Sequence, residues 1–479
     1  MARALVTATC VCLSACAEIG AVDAVADERL PNVVHLTWNL LAPAGEHWVE
    51  YGLDGAFDQQ SPREPSGNTA TMLGLKSGRE YSFRVVVETP AGARIESESG
   101  ALQVAAAPAE LPTFTVGEDD RAAQQAGGVV LTSLLQDGDA WVVVIDRDGD
   151  YVWSVRADEQ INIPGVRLDN ASTGVVYTQN ARKGSGNEAV SGIVHQPFNG
   201  SPRTLTATED AHHDALQLPD GRIAFLREYT EPDVVLEDGE TVDLGVDAVA
   251  LAEEGLLDAR AADTIFDFKA HYPEEPWRVC QHFDDPALGG GKDWVHANSL
   301  LYEPDGNTLL VNSRNLDALL ALNPDTGEPL WQIGGRYGDF SDIDGDTIGA
   351  SADAWQVEGP NRTWWSHAHL SHLWEDGFVL FDNGYHHDPT VSRVVEYSLD
   401  IPGRSIQKTW EFASETGEFD PLLGDVRKLD NGNYLVSWTL QGMITEVTPE
   451  GVVVWRASAS LGNATTRVRW LADLYGAGG

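Results

Sequence analysis

Cysteine is nearly missing from this chain: there are four in 479 residues, and three of them, Cys10, Cys12 and Cys16, fall within the first sixteen positions, leaving Cys280 alone. A disulfide-stapled scaffold is therefore excluded, and stability has to come from packing. Basic residues are also scarce, with 31 Lys and Arg against 74 Asp and Glu, a formal net charge of −43. Phosphate backbones bind basic faces, so a nucleic-acid partner is excluded as well. So acidic a surface is heavily solvated, and a small anionic ligand could be held only in a local cationic pocket. Beyond the first residues no stretch approaches the roughly 18 consecutive apolar residues of a membrane-spanning helix. Helical periodicity is rare throughout.

What is present begins with a leader. Met1-Ala2-Arg3, a largely apolar run over residues 4–13 and Leu13-Ser14-Ala15-Cys16 have the charge, length and small residues of an export signal. Leu13-Ser14-Ala15-Cys16 resembles the bacterial lipobox, which implies that residues 1–16 are signal and lipobox and that Cys16 becomes a lipidated N-terminus. The chain is then expected to be exported and lipid-anchored in the bacterial cell envelope, touching the membrane only through that anchor. Cys10 and Cys12 would be removed, leaving no intramolecular pair to oxidise.

At this length two or three domains are expected. Over residues 27–108 about seven short strands alternate apolar and polar positions, among them Val33-Val34-His35-Leu36-Thr37-Trp38 and Tyr81-Ser82-Phe83-Arg84-Val85-Val86-Val87. This stretch resembles a fibronectin type III β-sandwich, with Trp38 in the core and Leu75 and Tyr81 as a tyrosine corner. Residues 109–127, following an Ala- and Pro-rich stretch, read as a linker.

From residue 128 to 479 short strands alternate with Asp-Gly and Asn-Gly turns. One element sets a histidine before a hairpin turn: His213 before Asp220-Gly221, His296 before Asp305-Gly306, His369 before Asp376-Gly377. Another sets a turn before a strand ending in Trp, at Trp153, Trp331 and Trp455. Such recurrence predicts a β-propeller of about six blades, and hence an all-β chain: a sandwich followed by a propeller. Inner strands of a propeller line its axis, so residues in one phase of successive blades face each other. His213, His296 and His369 share that phase, and independent structural histidines have no reason to.

Asp293-Trp294-Val295-His296-Ala297-Asn298-Ser299, Val311-Asn312-Ser313-Arg314-Asn315 and Phe381-Asp382-Asn383-Gly384 resemble signature stretches of the bacterial aryl-sulfate sulfotransferase family. With the His212-His213-Asp214 turn the resemblance covers roughly residues 211–397. It implies transfer of a sulfuryl group from a phenolic sulfate ester to another phenol, without nucleotide donor, metal or other cofactor, through a covalent sulfohistidine. By motif match His369 resembles the nucleophile, Arg314 the oxygen-holding arginine, and His213 and His296 the flanking histidines, with Asn298 a further donor. The chemistry suits the residue types. Neutral imidazole is a nucleophile near pH 7, and the guanidinium fork can hold two oxygens of a tetrahedral anion.

The nucleophile's register stays open between two histidines in Ser366-His367-Ala368-His369. His369 lies eight residues before Gly377, as His213 does before Gly221. His367-Ala368 instead matches His296-Ala297, each ten residues before its turn glycine. The family's usual Gln-His-Asp is absent at both. Three weaker motifs receive structural readings. Asp342-Ile343-Asp344-Gly345-Asp346 departs from a calcium loop in its glycine position and reads as an acidic turn. Gly289-Gly290-Gly291-Lys292 lacks the rest of a P-loop. His386-His387-Asp388 is expected on an outer loop. Two other functions compete: a non-catalytic anchored module binding a small anion or glycan, and a metal-dependent hydrolase or lyase using His213, His296 and His369. Arg314 argues against the metal, since fixed cations repel.

Overall fold

Alternation in the sequence becomes strand burial directly: in Val34–Leu40 the residues Val34, Leu36 and Trp38 face inward and their neighbours outward. A computed structural model of the chain describes residues 18–40, 45–136, 139–157, 161–181, 191–208, 210–258, 261–272, 284–285, 291–335, 364–374, 376–414, 417, 419–460 and 464–476. Cys16, Cys280, the glycines at 289–290 and the acidic turn at 342–346 lie outside the described residues. The described residues are almost wholly β, in antiparallel sheets, with one four-residue helix, Phe268–His271. The chain divides into two units, Met1–Ala107 and Pro108–Gly479.

The first unit is two antiparallel sheets over one core. Ile19–Ala26, Val34–Leu40 and Thr69–Met72 form one sheet; Glu46–Leu53 and Glu80–Glu88 centre the other. Val34, Leu36 and Trp38 from one face pack on Val49, Tyr51, Phe83 and Val85 from the other. The Tyr81 hydroxyl accepts a hydrogen bond from the Lys76 backbone N–H at 3.0 Å, pinning the turn that precedes its own strand. The first strand, Ile19–Ala26, begins before residue 27, where the sandwich was expected to start.

In the second unit six sheets follow one another along the chain, three of them four-stranded, and their strands pair antiparallel except for one short parallel pairing of Thr241–Ala252 with Gly291–Asp293. Two sheets are completed by distant segments. The last strand, Ala464–Leu471, pairs with Val129–Gln136, and Phe114–Asp119 pairs with Val453–Ala459. The stretch 109–127, expected to be a linker, thus contains a ladder strand. Its alternation, buried Phe114 beside exposed Thr115, is short and was masked by the adjacent Pro-rich residues.

Apolar faces are buried between consecutive sheets. Val176 and Ile193 meet Ala215 and Phe225; Leu226 and Val246 meet Leu300 and Val311; Leu301 and Leu310 meet Phe378 and Leu380; Val379 and Phe381 meet Val426 and Val436. Trp153 and Trp455 are fully buried, and each donates its indole N–H to a carbonyl of an adjoining sheet, Phe198 O at 3.1 Å and Arg147 O at 3.0 Å. In each sheet one edge strand, its first in space though not always in sequence, touches that of the next sheet: Val166–Leu168, Ala211–Gln217, Ala297–Glu303, His369–Trp374, Asp425–Lys428 and Ala464–Leu471, the last returning to the first.

Candidate active site

The start of these first strands gathers the histidines. His213, His296 and His367 each take a left-handed backbone conformation, with φ of 49°, 49° and 55°. Such a φ is uncommon outside glycine and costs on the order of 1–3 kcal/mol per residue, so three instances at corresponding strand starts mark a place where packing imposes the geometry. In this respect His367, not His369, is the backbone counterpart of His213 and His296.

The imidazoles sort differently. The rings of His213 and His296 lie 4.6 Å apart, centre to centre. Burial, and then the charges of His296, His212, His369 and Arg314, push His213 well below the usual imidazole range. Burial, and then Arg314, do the same to His369, against the opposing bond from Asn383. His213, His296, Arg314 and His369 therefore lie within electrostatic range of one another, and His213 and His369 are neutral near pH 7.

Hydrogen bonds assign the tautomers. His369 Nδ1 lies 2.8 Å from Asn383 Oδ1. The Asn383 amide is fixed the right way round because its Nδ2 donates to Asp420 O at 2.8 Å and Leu423 O at 3.0 Å. His369 Nδ1 must then be the N–H, which leaves the lone pair on Nε2. His367 is committed on both nitrogens: Nδ1–H donates to Arg314 O at 2.9 Å, so Nε2 accepts from His386 Nε2–H, also at 2.9 Å.

Behind His213 stands a relay. His212 Nε2 is 3.1 Å from Asp247 Oδ1, and its Nδ1 is 2.7 Å from His213 Nδ1. Burial opposes the charge on His212, but Asp247 outweighs it and raises His212 to about 9. His212 is then an imidazolium that donates to His213 Nδ1, and His213 carries its proton on Nε2. His296 Nδ1 is bonded to Asp293 Oδ2. Burial would raise Asp293, yet His296 and Arg314 hold it below the usual carboxylate range.

Arg314 is fully buried. Its guanidinium donates to Asn315 Oδ1 and Pro421 O, both at 3.2 Å, and sits 5.3 Å from the centre of the Tyr385 ring. Its backbone joins the strands, since N–H donates to His296 O at 3.1 Å while its carbonyl accepts from His367. Asn298 is also fully buried: Nδ2 donates to Ala368 O at 3.1 Å, and Oδ1 accepts from Asn312 at 2.8 Å. It clamps the residue between His367 and His369.

Sequence reasoning missed the positioning groups. Asn383 and Asp293 stand inside motifs already singled out, and His212 adjoins His213, so proximity to a motif was the available signal. Asp247 had none. His386 and His387 do not lie on an outer loop: His386 is buried against His367, and His387 Nε2 is 2.7 Å from the buried Asp382 Oδ2. Two buried acceptors close to the turn draw both rings inward. Among the described residues, three metal-ligating side chains converge only at Asp146, Asp148 and Asp150, on a turn remote in sequence from the histidines.

Residues 116–467 match the family model described as arylsulfotransferase (ASST). No curated protein sequence matches this chain. Similar solved structures include a protein of unknown function from Bacteroides caccae, at 13% identity over 71% of this chain and 99% of that one, with a TM-score of 0.37. Another is apo AztD from Citrobacter koseri, at 9% identity over 95% of this chain and 99% of that one, TM-score 0.28.

Proposed function

The chain belongs to the arylsulfotransferase family, and from that premise we propose that it moves a sulfuryl group from an aryl sulfate ester to a phenolic acceptor through a sulfohistidine at His369. The observation that carries this reading is the Asn383–His369 bond, which leaves a neutral, buried imidazole with its lone pair on Nε2.

In the first half-reaction His369 Nε2 attacks sulfur as the bond from sulfur to the aryl oxygen breaks. Arg314 and the Nε2–H of His213 hold the sulfuryl oxygens. The electron pair leaves with the phenolate, which takes a proton from Nε2 of His296, a ring held at Nδ1 by Asp293. In the second half His296 takes the proton of the incoming phenol, whose oxygen displaces the sulfuryl group and restores neutral His369. Each donor aimed at developing charge is worth about 3 kcal/mol. The buried cation also answers the charge problem posed by an anionic donor in so acidic a protein. His367, with both nitrogens engaged, serves as a positioning residue beside Arg314, and Asn298 holds the strand between the two histidines.

The cyclic contacts of the first strands, and the completion of the first and last sheets by distant segments, support reading the second unit as a six-bladed propeller with this site on its axis. The Tyr81 bond and the sheet orders support a fibronectin type III-like fold for the first unit. Cys16 is proposed as the lipidated N-terminus of an exported, envelope-anchored protein, which intact-mass analysis of protein from membranes would test: cleavage elsewhere removes the anchor.

The deciding experiment for the reaction is brief exposure to a chromogenic aryl sulfate, followed by peptide fragmentation. An added sulfuryl group on His369, absent from His369→Ala, is expected. Label on His367 would move the nucleophile by two residues; no label and no phenol release would leave a binding module.

A further inference from the structure

Further along the same first strands lies a buried cluster that the proposed reaction does not use. Four arginines, Arg167, Arg427, Arg467 and Arg469, share it with two aspartates, Asp214 and Asp425. Both aspartates are fully buried. Arg167 Nε donates to Asp214 Oδ1 at 2.8 Å, and Arg467 spans the pair, 3.2 Å from Asp214 Oδ2 and 3.4 Å from Asp425 Oδ1. Arg469 NH1 lies 2.6 Å from Asp425 Oδ2.

The carboxylates have further claims on them. Asp214 accepts from the Leu300 backbone N–H and Asp425 from that of Val468, each at 2.9 Å. Two carboxylates thus serve three arginines and two amides, and Arg427 is the fourth cation. Buried Arg427 Nε and buried Arg469 NH2 have no hydrogen-bond partner. Nearby His372 is pushed down to about 3 by burial and then by Arg427 and Arg469, so it is neutral. Its Nδ1 accepts from the Lys428 N–H at 3.1 Å, which places its own proton on Nε2.

Guanidinium cannot shed its charge at any ordinary pH, and an uncompensated buried charge costs several kcal/mol. Among the described residues the cluster holds four cations against two anions. We propose that a small inorganic anion, a halide or sulfate, is bound beside Arg427 and Arg469 as a built-in counter-ion, separate from the sulfuryl site. Arg427 is only partly buried, which gives a solvated ion a way in.

The test uses the whole chain in gluconate buffer, with chloride or sulfate replacing gluconate at constant ionic strength. A saturable rise in thermal midpoint is expected, on the order of 3 °C at roughly a hundredfold excess over Kd. Crystals soaked in bromide should show anomalous density beside Arg427 and Arg469. Arg427→Met removes one cation and leaves the aspartate pairs intact, so it should raise the midpoint in gluconate and abolish the saturable response. An unsaturable or absent response in the unmodified chain overturns the proposal, as does bromide density confined to other places. Should Arg427→Met fail to fold, the bromide map of the unmodified chain decides alone. Neither readout depends on sulfuryl transfer, so failure here leaves that reading untouched.

Discussion

Replacing Asp247 with asparagine isolates the charge behind His213. Asp247 raises His212 from 6.5 to about 9 against the pull of burial. That difference corresponds to about 3 kcal/mol in favour of the imidazolium, an order-of-magnitude figure for a side chain that is 13% exposed. The asparagine amide would keep a polar contact to His212 Nε2 but no charge, so His212 would be neutral across the neutral range. It could still donate from Nδ1 to His213, now as a neutral donor. Charge-assisted hydrogen bonds are about twice as strong as neutral ones, so the loss at the transition state is about 1–2 kcal/mol, a rate lower by roughly 5- to 30-fold. The pH profile carries the sharper signature. His212 has its folded pKa raised, so its contribution is complete below about 6.5 and is lost as pH rises through about 9. Sulfuryl transfer to the enzyme, followed as a single-turnover burst of phenol so that acceptor ionisation does not intrude, should fall above about pH 9 in the unmodified chain. Asp247→Asn should be slow and level across that range, at the rate the unmodified chain reaches only at high pH. An unchanged alkaline limb in Asp247→Asn would refute the relay.

Three further outcomes follow from the same geometry. Asn383→Leu removes the acceptor that fixes the His369 tautomer and takes away the amide donor to Leu423 O and Asp420 O, the latter still bonded by Ser392 Oγ at 3.1 Å; burst rate should drop by roughly 10- to 100-fold and the thermal midpoint should fall, the lost donor costing about 1–3 kcal/mol. Arg314→Lys keeps a charge but loses the planar fork, so KM for an aryl sulfate should rise and kcat should fall in steady-state assays, while a fully restored enzyme would show that charge alone suffices. Tyr81→Phe deletes the bond from Lys76 N–H and should destabilise the first unit by about 1 kcal/mol in denaturant titration without altering sulfuryl transfer.

The strands, their turns and the clustering of histidines were legible in the sequence because they are periodic. Alternation reports which face is buried, and a histidine repeated at one phase before hairpin turns reports a shared direction. Arg314 and Asn298 came with the motifs that carry the family likeness. Trp153 and Trp455 were visible as repeat marks, although not as donors to adjoining sheets.

What the sequence left open was decided by partners far away in the chain. Spacing could not separate His367 from His369, because each matches a different template turn. The choice proposed here rests on tautomers: Asn383 places the His369 proton on Nδ1 and the lone pair on Nε2, whereas Arg314 O and His386 engage both nitrogens of His367. Asp247 reaches His212 across the intervening strand Ile223–Val235 of one sheet, and Phe114–Asp119 becomes a strand only because Val453–Ala459 offers it an edge. The excess of buried arginine is likewise invisible in a chain of net charge −43, where cations look too few to crowd anywhere. Periodicity is a local property and can be read from neighbours; tautomers, relays and charge balance are set by contacts across hundreds of residues, and folding alone brings those together.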